Sequence, residues 1–457
     1  MAFIENISAM EILDSRGRPT VKAYLQLRGG AMVSPSVPSG ASTGSAEAIE
    51  LRDGDPNRYG GLGCRKAVAN INGAISSRLT GAEFYSCVQL DRALMELDGT
   101  RNKSKLGANA ILAVSIAFCR ARAMQNGREL FEEFEKLVPV VAEEMIDRKA
   151  KRLVEEMGAD SLDTVEMVME HDEELTRLPL PQLTVNLFSG GKHAGGIGPA
   201  IQDVLVAPIA GKSIVDGLSM VYAVYQAAAK LIRRKYGMGP LTADEGGLAP
   251  PVQTAEELLD DAVAAIKEAG FVPGRDVAIC VDVASSHFYL DGRYHLAPNE
   301  PALRSAQMID HLARWIEKYP IISVEDGLAE DDWENWRTLC ETLGKRVMVI
   351  GDDLLCTNPE RIRKAIELKA ANALLLKVNQ IGTLSEAAEA YRLARQAGWK
   401  VVISARSGET EDNWLADLAV GWGGDQIKVG SITQSERLAK YNRLLEIEGG
   451  FGSCAVR

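Results

Sequence analysis

Residues 347–377 read VMVIGDDLLCTNPERIRKAIELKAANALLLK, and this stretch decides the fold. Two short apolar runs, Val347–Ile350 and Ala373–Leu376, are separated by a segment with helical character. Continuous apolar strands that are joined by helices are typical of a parallel sheet covered on both faces. Similar runs begin at Val277, Ile321, Val401 and Asp425. Six such runs in a row favour a closed β/α barrel over an open sheet.

A charged side chain follows each of these apolar runs. The first three runs are followed by carboxylates, at Asp282, Glu325 and Asp352. The next three are followed by cations, at Lys377, Arg406 and Lys428. In a β/α barrel these positions lie together around the carboxyl-terminal mouth, where such barrels carry their active sites. We therefore expect an active site built from both signs of charge.

The three carboxylates indicate a metal site. As free anions at one place they would repel one another, and a hard divalent cation removes that repulsion. Ligation by oxygen alone suits Mg²⁺, which the pattern favours over Mn²⁺. The alternative is that each acid only caps the helix that follows it. Capping readily explains one acid at a strand end, but it explains three acids at successive strand ends less well.

Lys377 follows the next run and faces the same predicted metal site. An ammonium group close to a dication and to another cation has its pKa lowered. A neutral lysine at this place can remove a proton from carbon, and a metal-bound carboxylate beside that carbon would stabilise the dianion formed. The alternative is that Lys377 only neutralises the acids as an ion-pair partner.

A second acidic stretch, TADEGGLAP at 242–250, supplies a candidate proton donor. Two glycines after Glu245 mark a turn with close backbone approach, which places that acid at the edge of a site. A carboxylic acid there could protonate a departing hydroxide. Asp203 is a further candidate, although each acid taken alone also fits a surface or helix-capping role.

Composition excludes several classes of protein. The chain of 457 residues has 51 Lys+Arg against 63 Asp+Glu, a net charge of −12, which argues against duplex nucleic acid as a partner. Its start resembles no secretory signal, and no run of about 18 apolar residues indicates a membrane span. Seven scattered cysteines without a C-x-x-C pair support neither a disulfide framework nor a cysteine zinc site. We therefore expect a cytoplasmic protein without a nucleic-acid or membrane partner.

The chain is long enough for more than one domain. Residues 1–135 are expected to form an α+β domain, and residues 179–457 the barrel. Residues 136–178 are rich in Glu, Lys and Arg and are expected to be a charged helical insertion, either a solvated surface segment or a partner or lid element. The elements expected in the first domain are a strand over Val21–Leu27, a loop over Pro35–Gly44 and a helix over Gly107–Asn126.

Sequence motifs along nearly the whole chain resemble those of the enolases. They are LDSRGRPTV (13–21), PSGASTG (38–44), NKSKLGANA (102–110), DEGG (244–247), ED (325–326), GDDL (351–354), LLLKVNQIGT (374–383), RSGETED (406–412) and SERLAKYN (435–442). The resemblance implies an α/β fold, an enolase-type modified (β/α)8 barrel with an N-terminal α+β capping domain, assembled as a homodimer or higher homo-oligomer. It also implies removal of the C2 proton of 2-phosphoglycerate and loss of the C3 hydroxyl, with the lysine base and magnesium of that superfamily.

The resemblance also assigns roles to residues. The ligands of a tightly bound Mg²⁺ would be Asp282, Glu325 and Asp352, with a second Mg²⁺ arriving with the substrate. The catalytic residues would be Lys377 as general base, Glu245 as the acid that assists hydroxide departure, and Asp203. The residues that bind the small anionic substrate would be Lys428 at its carboxylate, Arg406 and Ser407 at its phosphate, Ser39 in a closing loop, and His193.

The departures from the enolase pattern include changes near the predicted site. Ala405 stands where enolases carry a histidine, and Asp203 where they carry the longer glutamate. Lys192 adds a cation beside the site histidine, while Ala46 and Gly327 replace a histidine and a proline. Loss of the imidazole at 405 opens room beside the substituent at C2 of the substrate, and Lys192 adds charge to match.

These departures favour a specialised paralogue that forms a different enolpyruvate. Carboxyphosphonoenolpyruvate synthase of phosphonate natural-product biosynthesis is such an enzyme, with a phosphonate substrate and a nucleotide-activated co-substrate. Ala405 and Lys192 would then belong to the substrate site. Two alternatives stay open: an ordinary enolase that forms phosphoenolpyruvate from 2-phosphoglycerate, and a non-catalytic binding protein with the enolase fold.

Overall fold

A computed structural model describes residues 1–40, 44–138, 180–195, 198–297 and 301–451. The first part is an antiparallel sheet in the order β3-β2-β1-β4. Its strands are β1 (Ala2–Leu13), β2 (Pro19–Leu27), β3 (Met32–Val33) and β4 (Glu83–Phe84). From Val21 to Leu27 every second side chain of β2 is buried, as the alternation of a strand with one covered face requires. The strand predicted over these residues is confirmed.

Helices cover one face of this sheet. They are α1 (Arg65–Asn70), α2 (Ser76–Leu79), α3 (Cys87–Asp98), α4 (Ala108–Gln125) and α5 (Leu130–Glu135), with a π-helical turn at Ile71–Ile75 between the first two. α4 confirms the helix predicted over Gly107–Asn126. Nearly all of its side chains are buried, because it packs against β2 on one side and against helices of the second part on the other.

A disulfide joins α3 to α4. Cys87 is bonded to Cys119, 32 residues further along the chain. The sequence supported no disulfide framework, because its cysteines are scattered and lack a recognisable spacing. This one pair was not foreseen, because it forms where two helices pack side by side and bring distant cysteines together.

The second part is a closed barrel of eight strands. Its strands are β5 (Gln182–Ser189), β6 (Asp203–Ala207), β7 (Ala278–Asp282), β10 (Ile321–Glu325), β11 (Met348–Gly351), β12 (Ala373–Leu376), β13 (Lys400–Ser404) and β14 (Gln426–Gly430), with a small hairpin of β8 (Tyr289–Leu290) and β9 (Arg293–Tyr294) between β7 and β10. Its helices are α6 (Ile214–Tyr236), α7 (Ala255–Glu268), α8 (Ser305–Lys318), α9 (Trp333–Leu343), α10 (Pro359–Leu368), α11 (Val378–Ile381), α12 (Leu384–Gln396), α13 (Trp414–Gly421) and α14 (Ser435–Glu448). The predicted α/β fold with a barrel and an N-terminal domain is confirmed.

One barrel strand runs against the others. β6 pairs antiparallel with both β5 and β7, while the other neighbours pair in parallel. Strict alternation of strand and helix would make every pair parallel. The connection from β5 to β6 contains a 3₁₀ turn at Gly191–Ala194 and, among its described residues, no α-helix, so the chain returns beside β5 in the opposite direction.

The helices between strands begin and end at recognisable signals. At α10 the Asn358 side chain accepts a hydrogen bond from the N–H of Glu360, and Pro359 occupies the first helical position, where no N–H is needed. The helix ends where Lys369 adopts a left-handed conformation with φ 55°. The next strand then begins at Ala373, so Lys377, which follows that strand, reaches the same end of the barrel as Asp352.

The strand ends bring the predicted charges to one mouth. β7 and β10 lie in parallel register with Asp282 beside Glu325. Asp352 follows β11 directly, Lys377 follows β12, and Lys428 lies near the end of β14. Parallel register is therefore what converts the spacing along the sequence into a cluster in space.

Two further sequence predictions concern regions outside the barrel mouth. Among the described residues, none of the helices combines the length with the apolar character that a membrane span requires. Of the predicted charged insertion at 136–178, all but residues 136–138 lie outside the described residues. That insertion and the domain boundaries around it stay predictions.

Candidate active site

Lys428 lies between two carboxylates in the mouth of the barrel. Its Nζ donates to Asp282 Oδ2 at 2.8 Å and to Glu325 Oε1 and Oε2 at 2.9 and 2.8 Å. All three side chains are buried. Because ionised carboxylates lose most of their hydration at such depth, a cation at this point is essential to their stability.

Lys377 makes the second ion pair of the mouth. Its Nζ donates to Asp352 Oδ2 at 2.5 Å, while Asp352 Oδ1 accepts from Gln380 Nε2 at 2.8 Å. Thr357 Oγ1 lies 2.8 Å from Gln380 Oε1 and accepts from the backbone N–H of Lys377 at 2.9 Å. One small network therefore fixes both the lysine and its carboxylate. Sequence reasoning missed Gln380, although it lies in the enolase-like motif at 374–383.

The pKa values at Lys428 reflect this crowding of charge. Burial raises the pKa of Glu325 well above its usual range, and the neighbouring Asp282 carboxylate raises it further. Burial alone would lower the pKa of Lys428, but Asp282 and Glu325 outweigh it and hold that pKa well above its usual range. Lys428 therefore stays protonated.

The protein's own charged groups, without a metal, do not lower the pKa of Lys377. Burial by itself would lower it, but the Asp352 carboxylate outweighs burial and the pKa lies above the ordinary value of lysine. The lowered pKa was expected beside a dication and another cation, so it stays a prediction for the metal-bound site, while in the protein alone the carboxylate at 2.5 Å dominates.

The donor set at the mouth fits a hard cation. Asp282, Glu325 and Asp352 come from neighbouring strands and offer carboxylate oxygens. Gln202 Nε2 donates to Asp282 Oδ2 at 3.3 Å, while its buried Oε1 has no hydrogen-bond partner among the described residues. Carboxylate and amide oxygens are the ligands that Mg²⁺ prefers.

In the described part of the chain, two clusters of acidic or imidazole side chains could hold a metal ion. Within each cluster the ligand atoms lie within 4.8 Å of one another. They are Asp326 with Asp352 and Asp353, and His193 with Asp203 and Glu245. Only Asp352 belongs also to the predicted trio. Acidic clusters that could bind a metal therefore lie at the mouth.

His193 joins the two acids of the second cluster. Its Nδ1 lies 2.8 Å from Asp203 Oδ2, and its Nε2 lies 3.7 Å from Glu245 Oε1. Ser189 Oγ donates to Asp203 Oδ1 at 2.5 Å, and Asn186 Nδ2 donates to Glu245 Oε2 at 3.0 Å. The shorter side chain of Asp203 therefore still reaches the imidazole.

The charge state of this cluster follows from its burial. Burial alone would lower the pKa of His193, but Asp203 and Glu245 outweigh it and raise that pKa to about 9. Burial alone would raise the pKa of Glu245, but His193 outweighs it and that pKa lies below its usual value. At neutral pH the proton of this pair is therefore carried by His193.

His193 makes the free energy of unfolding depend on pH between about 6.5 and 9. Its pKa is higher in the folded chain, so its contribution is complete below about pH 6.5 and is lost as the pH rises through about 9. We expect His193→Gln to remove about 2–3 kcal/mol of that pH dependence. Denaturant unfolding at pH 6.5 and 9.5 measures it, with His295→Gln, a histidine in the β8–β9 region, as the control. Equal pH dependence in wild type and His193→Gln would contradict the expectation.

Arg406 and Ser407 meet the N-terminal domain. The Arg406 guanidinium donates to Glu47 Oε2 at 3.1 Å and to Asn379 Oδ1 at 3.0 Å. Ser407 Oγ accepts from Arg16 Nη1 at 3.2 Å. Both predicted phosphate-binding residues are buried and held by groups that sequence reasoning had not assigned.

Arg16 also holds the start of the predicted closing loop. Its Nη2 donates to Ser39 Oγ at 3.1 Å, and Ser39 Oγ donates to Asp14 Oδ2 at 2.7 Å. The backbone of Ser39 exchanges two hydrogen bonds with Gly408, so this serine lies next to the Arg406–Ser407 pair. Residues 41–43 of that loop lie outside the described residues. Arg16 lies in the enolase-like motif at 13–21, but nothing in the sequence pattern indicated which residues it would bind.

The remaining predicted residues lie at different depths. Lys192 is exposed on the 3₁₀ turn, whereas Ala405 is buried and its N–H donates to the carbonyl of Lys428 at 2.8 Å. Burial and then the Lys192 ammonium lower the pKa of His287 to about 4. His287 therefore faces the site as a neutral imidazole, and its position in the sequence gave no sign of this.

Comparison with known proteins identifies the family. The model of the enolase C-terminal TIM barrel domain matches residues 176–457, and that of the enolase N-terminal domain matches residues 4–134. Enolase 1 of Methylococcus capsulatus is 44% identical over 455 residues, which cover 99% of each chain.

The prediction of a specialised paralogue is wrong. It depended on local changes at Ala405, Asp203 and Lys192, whereas the similarity to an enolase extends over the full length and favours the alternative of an ordinary enolase. Asp203 still binds His193, and nothing in the comparisons points to carboxyphosphonoenolpyruvate synthase. The phosphonate substrate and the nucleotide co-substrate belonged to that hypothesis and lose their support with it. The chain belongs to the enolase family.

Proposed function

We propose that the protein is an ordinary enolase, which converts 2-phosphoglycerate to phosphoenolpyruvate. Family membership makes it an enzyme, a carbon–oxygen lyase with a small phosphate-containing substrate. The observation that carries the proposal is the pairing of two lysines, Lys377 and Lys428, with three buried carboxylates at one barrel mouth. This arrangement provides a base, cations for an anionic substrate and oxygen ligands for a metal.

Asp282, Glu325 and Asp352 are proposed to hold Mg²⁺, and a second Mg²⁺ is proposed to arrive with the substrate. Bound there, magnesium would act as a Lewis acid that stabilises the extra negative charge on the substrate carboxylate. Asp282 and Glu325 lie side by side in register at the ends of β7 and β10, and both are buried, which supports this choice of ligands.

Lys377 is the proposed general base. Its Nζ would remove the proton from C2 of the substrate, which requires the neutral amine. Asp352 keeps the amine protonated in the protein alone, so neutralisation of Asp352 by metal ligation is what would lower the pKa of Lys377 toward the working range. Lys428, which stays protonated, would bind the substrate carboxylate.

Glu245 and His193 are proposed to deliver a proton to the departing C3 hydroxyl. His193 carries the proton at neutral pH, and its Nε2 lies 3.7 Å from Glu245 Oε1. Transfer between these two atoms would make Glu245 the acid next to the leaving group, while Asp203 orients the imidazole through Nδ1. Both acids are buried, which excludes competing water.

Arg406, Ser407 and Ser39 are proposed to bind the phosphate group. A guanidinium suits phosphate because its donors match two oxygens at once. Arg16 contacts both serines and would keep them at a fixed distance from each other. Lys192, on the exposed turn, would contribute long-range attraction to the anionic substrate, and the methyl group of Ala405 would line the site.

The test is an assay of the purified chain with 2-phosphoglycerate, following the absorbance of the enol product. We expect turnover with Mg²⁺, loss of turnover after EDTA treatment and recovery when Mg²⁺ is restored. Absence of both product and C2 hydrogen exchange in heavy water would reject the proposal. Sedimentation of the same preparation tests the proposed homodimer.

A further inference from the structure

Asp326 is a buried acid that has no part in the proposed chemistry. It follows the last residue of β10, is 3% exposed, and adopts a left-handed conformation with φ 44°. Aspartate tolerates this conformation better than most residues, because its short polar side chain can bond locally. The chain therefore leaves the strand here, with the carboxylate kept inside the barrel mouth.

The carboxylate of Asp326 binds the backbone at the end of β11. Its Oδ1 accepts from the N–H of Asp352 at 2.9 Å, and its Oδ2 accepts from the N–H of Asp353 at 2.8 Å. The two carboxyl oxygens thus accept hydrogen bonds from two consecutive peptide groups of one turn. Because the two oxygens of one carboxyl group accept from consecutive peptide N–H groups, this contact fixes the direction in which the chain leaves β11.

The backbone of Asp326 extends the same connection to two other strand ends. Its N–H donates to Ile350 O on β11 at 3.0 Å, and its carbonyl accepts from the N–H of Ser285, just beyond β7, at 3.1 Å. The three strands that meet at this residue carry Asp282, Glu325 and Asp352, the proposed metal ligands. Asp326 touches none of the reacting groups, but a shift of its carboxylate would move Asp352 relative to the other two.

We propose that Asp326 is a positioning residue for the metal site, which sets the distance of Asp352 from Asp282 and Glu325. The inference rests on the proposed function, since that function assigns the three carboxylates to Mg²⁺. Groups that orient metal ligands in this way typically contribute about 10–100-fold to metal affinity or activity.

Calorimetric titration of the full-length, EDTA-treated protein with Mg²⁺ tests the proposal without any turnover. Asp326→Asn keeps the size of the side chain but offers one acceptor and one donor to two N–H groups. Asp326→Glu keeps the charge and moves both oxygens by one methylene. In both variants we expect Mg²⁺ affinity to fall by about 10–100-fold, with kcat largely recovered at saturating Mg²⁺.

Asp332→Asn is the matched control. Asp332 lies later in the same connection and accepts from the hydroxyls of Tyr294 and Ser305, so its loss removes comparable hydrogen bonds away from the metal site. We expect Asp332→Asn to leave Mg²⁺ affinity unchanged. An equal loss in Asp332→Asn would overturn the proposal, because the effect would then be general destabilisation.

Three further outcomes separate the position of the Asp326 carboxyl group from its mere presence and from the proposed function. If Asp326→Glu binds Mg²⁺ as the wild type does, the exact place of the carboxyl group does not matter and the positioning role of Asp326 is rejected. If Asp352→Asn retains full affinity, the assigned metal site is wrong and the inference is overturned with it. If Asp352→Asn loses affinity but the wild type fails to turn over 2-phosphoglycerate, the proposed function fails while the role of Asp326 is still decided by its own variants.

Discussion

Lys377→Ala is expected to lower kcat for 2-phosphoglycerate by about 10²–10⁴-fold, the range that a positioned general base contributes. The side chain is half-buried beside Asp352, and no other lysine lies on β12 or in the short helix that follows it. We expect KM to change much less, because Lys428 and Arg406 still bind the substrate. Steady-state kinetics at saturating Mg²⁺ measure both constants.

A second readout ties this loss to proton removal. Exchange of the C2 hydrogen in heavy water should disappear in Lys377→Ala. The matched control is Lys400→Ala, because Lys400 pairs with Asp425 at 2.8 Å at the opposite end of the barrel wall and is exposed. The control should keep wild-type exchange. Persistent exchange in Lys377→Ala would show that another group takes the proton.

The barrel could be predicted from sequence because its strands are short, apolar and separated by helices. The runs from Val277 onward are each buried on both faces, so their composition marks them without reference to partners. β5 and β6 were not among the predicted strands, because their connection contains no helical pattern. The antiparallel direction of β6 depends on how the chain returns after Ser189, which periodicity does not record.

The site was predictable where chemistry depends on side chains at strand ends. Lys377 and Lys428 are recognisable because a cation directly after a buried strand is unusual. Asp326 and Gln380 were not, because their roles arise from hydrogen bonds to other segments. The raised pKa of Lys377 in the protein alone depends on the distance of 2.5 Å to Asp352, which the sequence does not record.

The substrate prediction failed for a different reason. Substitutions at Ala405 and Lys192 were interpreted one at a time, as if each changed the shape of the substrate site. Ala405 is held by its backbone to Lys428, and Lys192 is exposed, so neither change removes a contact among the proposed catalytic groups. The residues that carry the proposed chemistry are unaffected, in agreement with the full-length similarity to an enolase.

Lys428→Met is expected to destabilise the EDTA-treated protein by about 3–5 kcal/mol, because it leaves two buried carboxylates without their cation. Asp282 and Glu325 both bind the Lys428 ammonium within 3 Å, and the pKa of Glu325 is already raised by burial and by Asp282. Methionine preserves the length of the side chain, so the loss reports charge more than packing. Denaturant unfolding measures the difference in free energy.

Magnesium should reduce this destabilisation, because a dication held by the same carboxylates would stabilise only the folded state. Lys440→Met is the control: Lys440 is 1% exposed and pairs with Glu409 at 2.9 Å, away from the three proposed ligands. We expect a loss of stability there that Mg²⁺ does not change. If Mg²⁺ affects both variants equally, Asp282 and Glu325 are not metal ligands, because the ion would then act on the protein as a whole and not on the carboxylates that Lys428 neutralises.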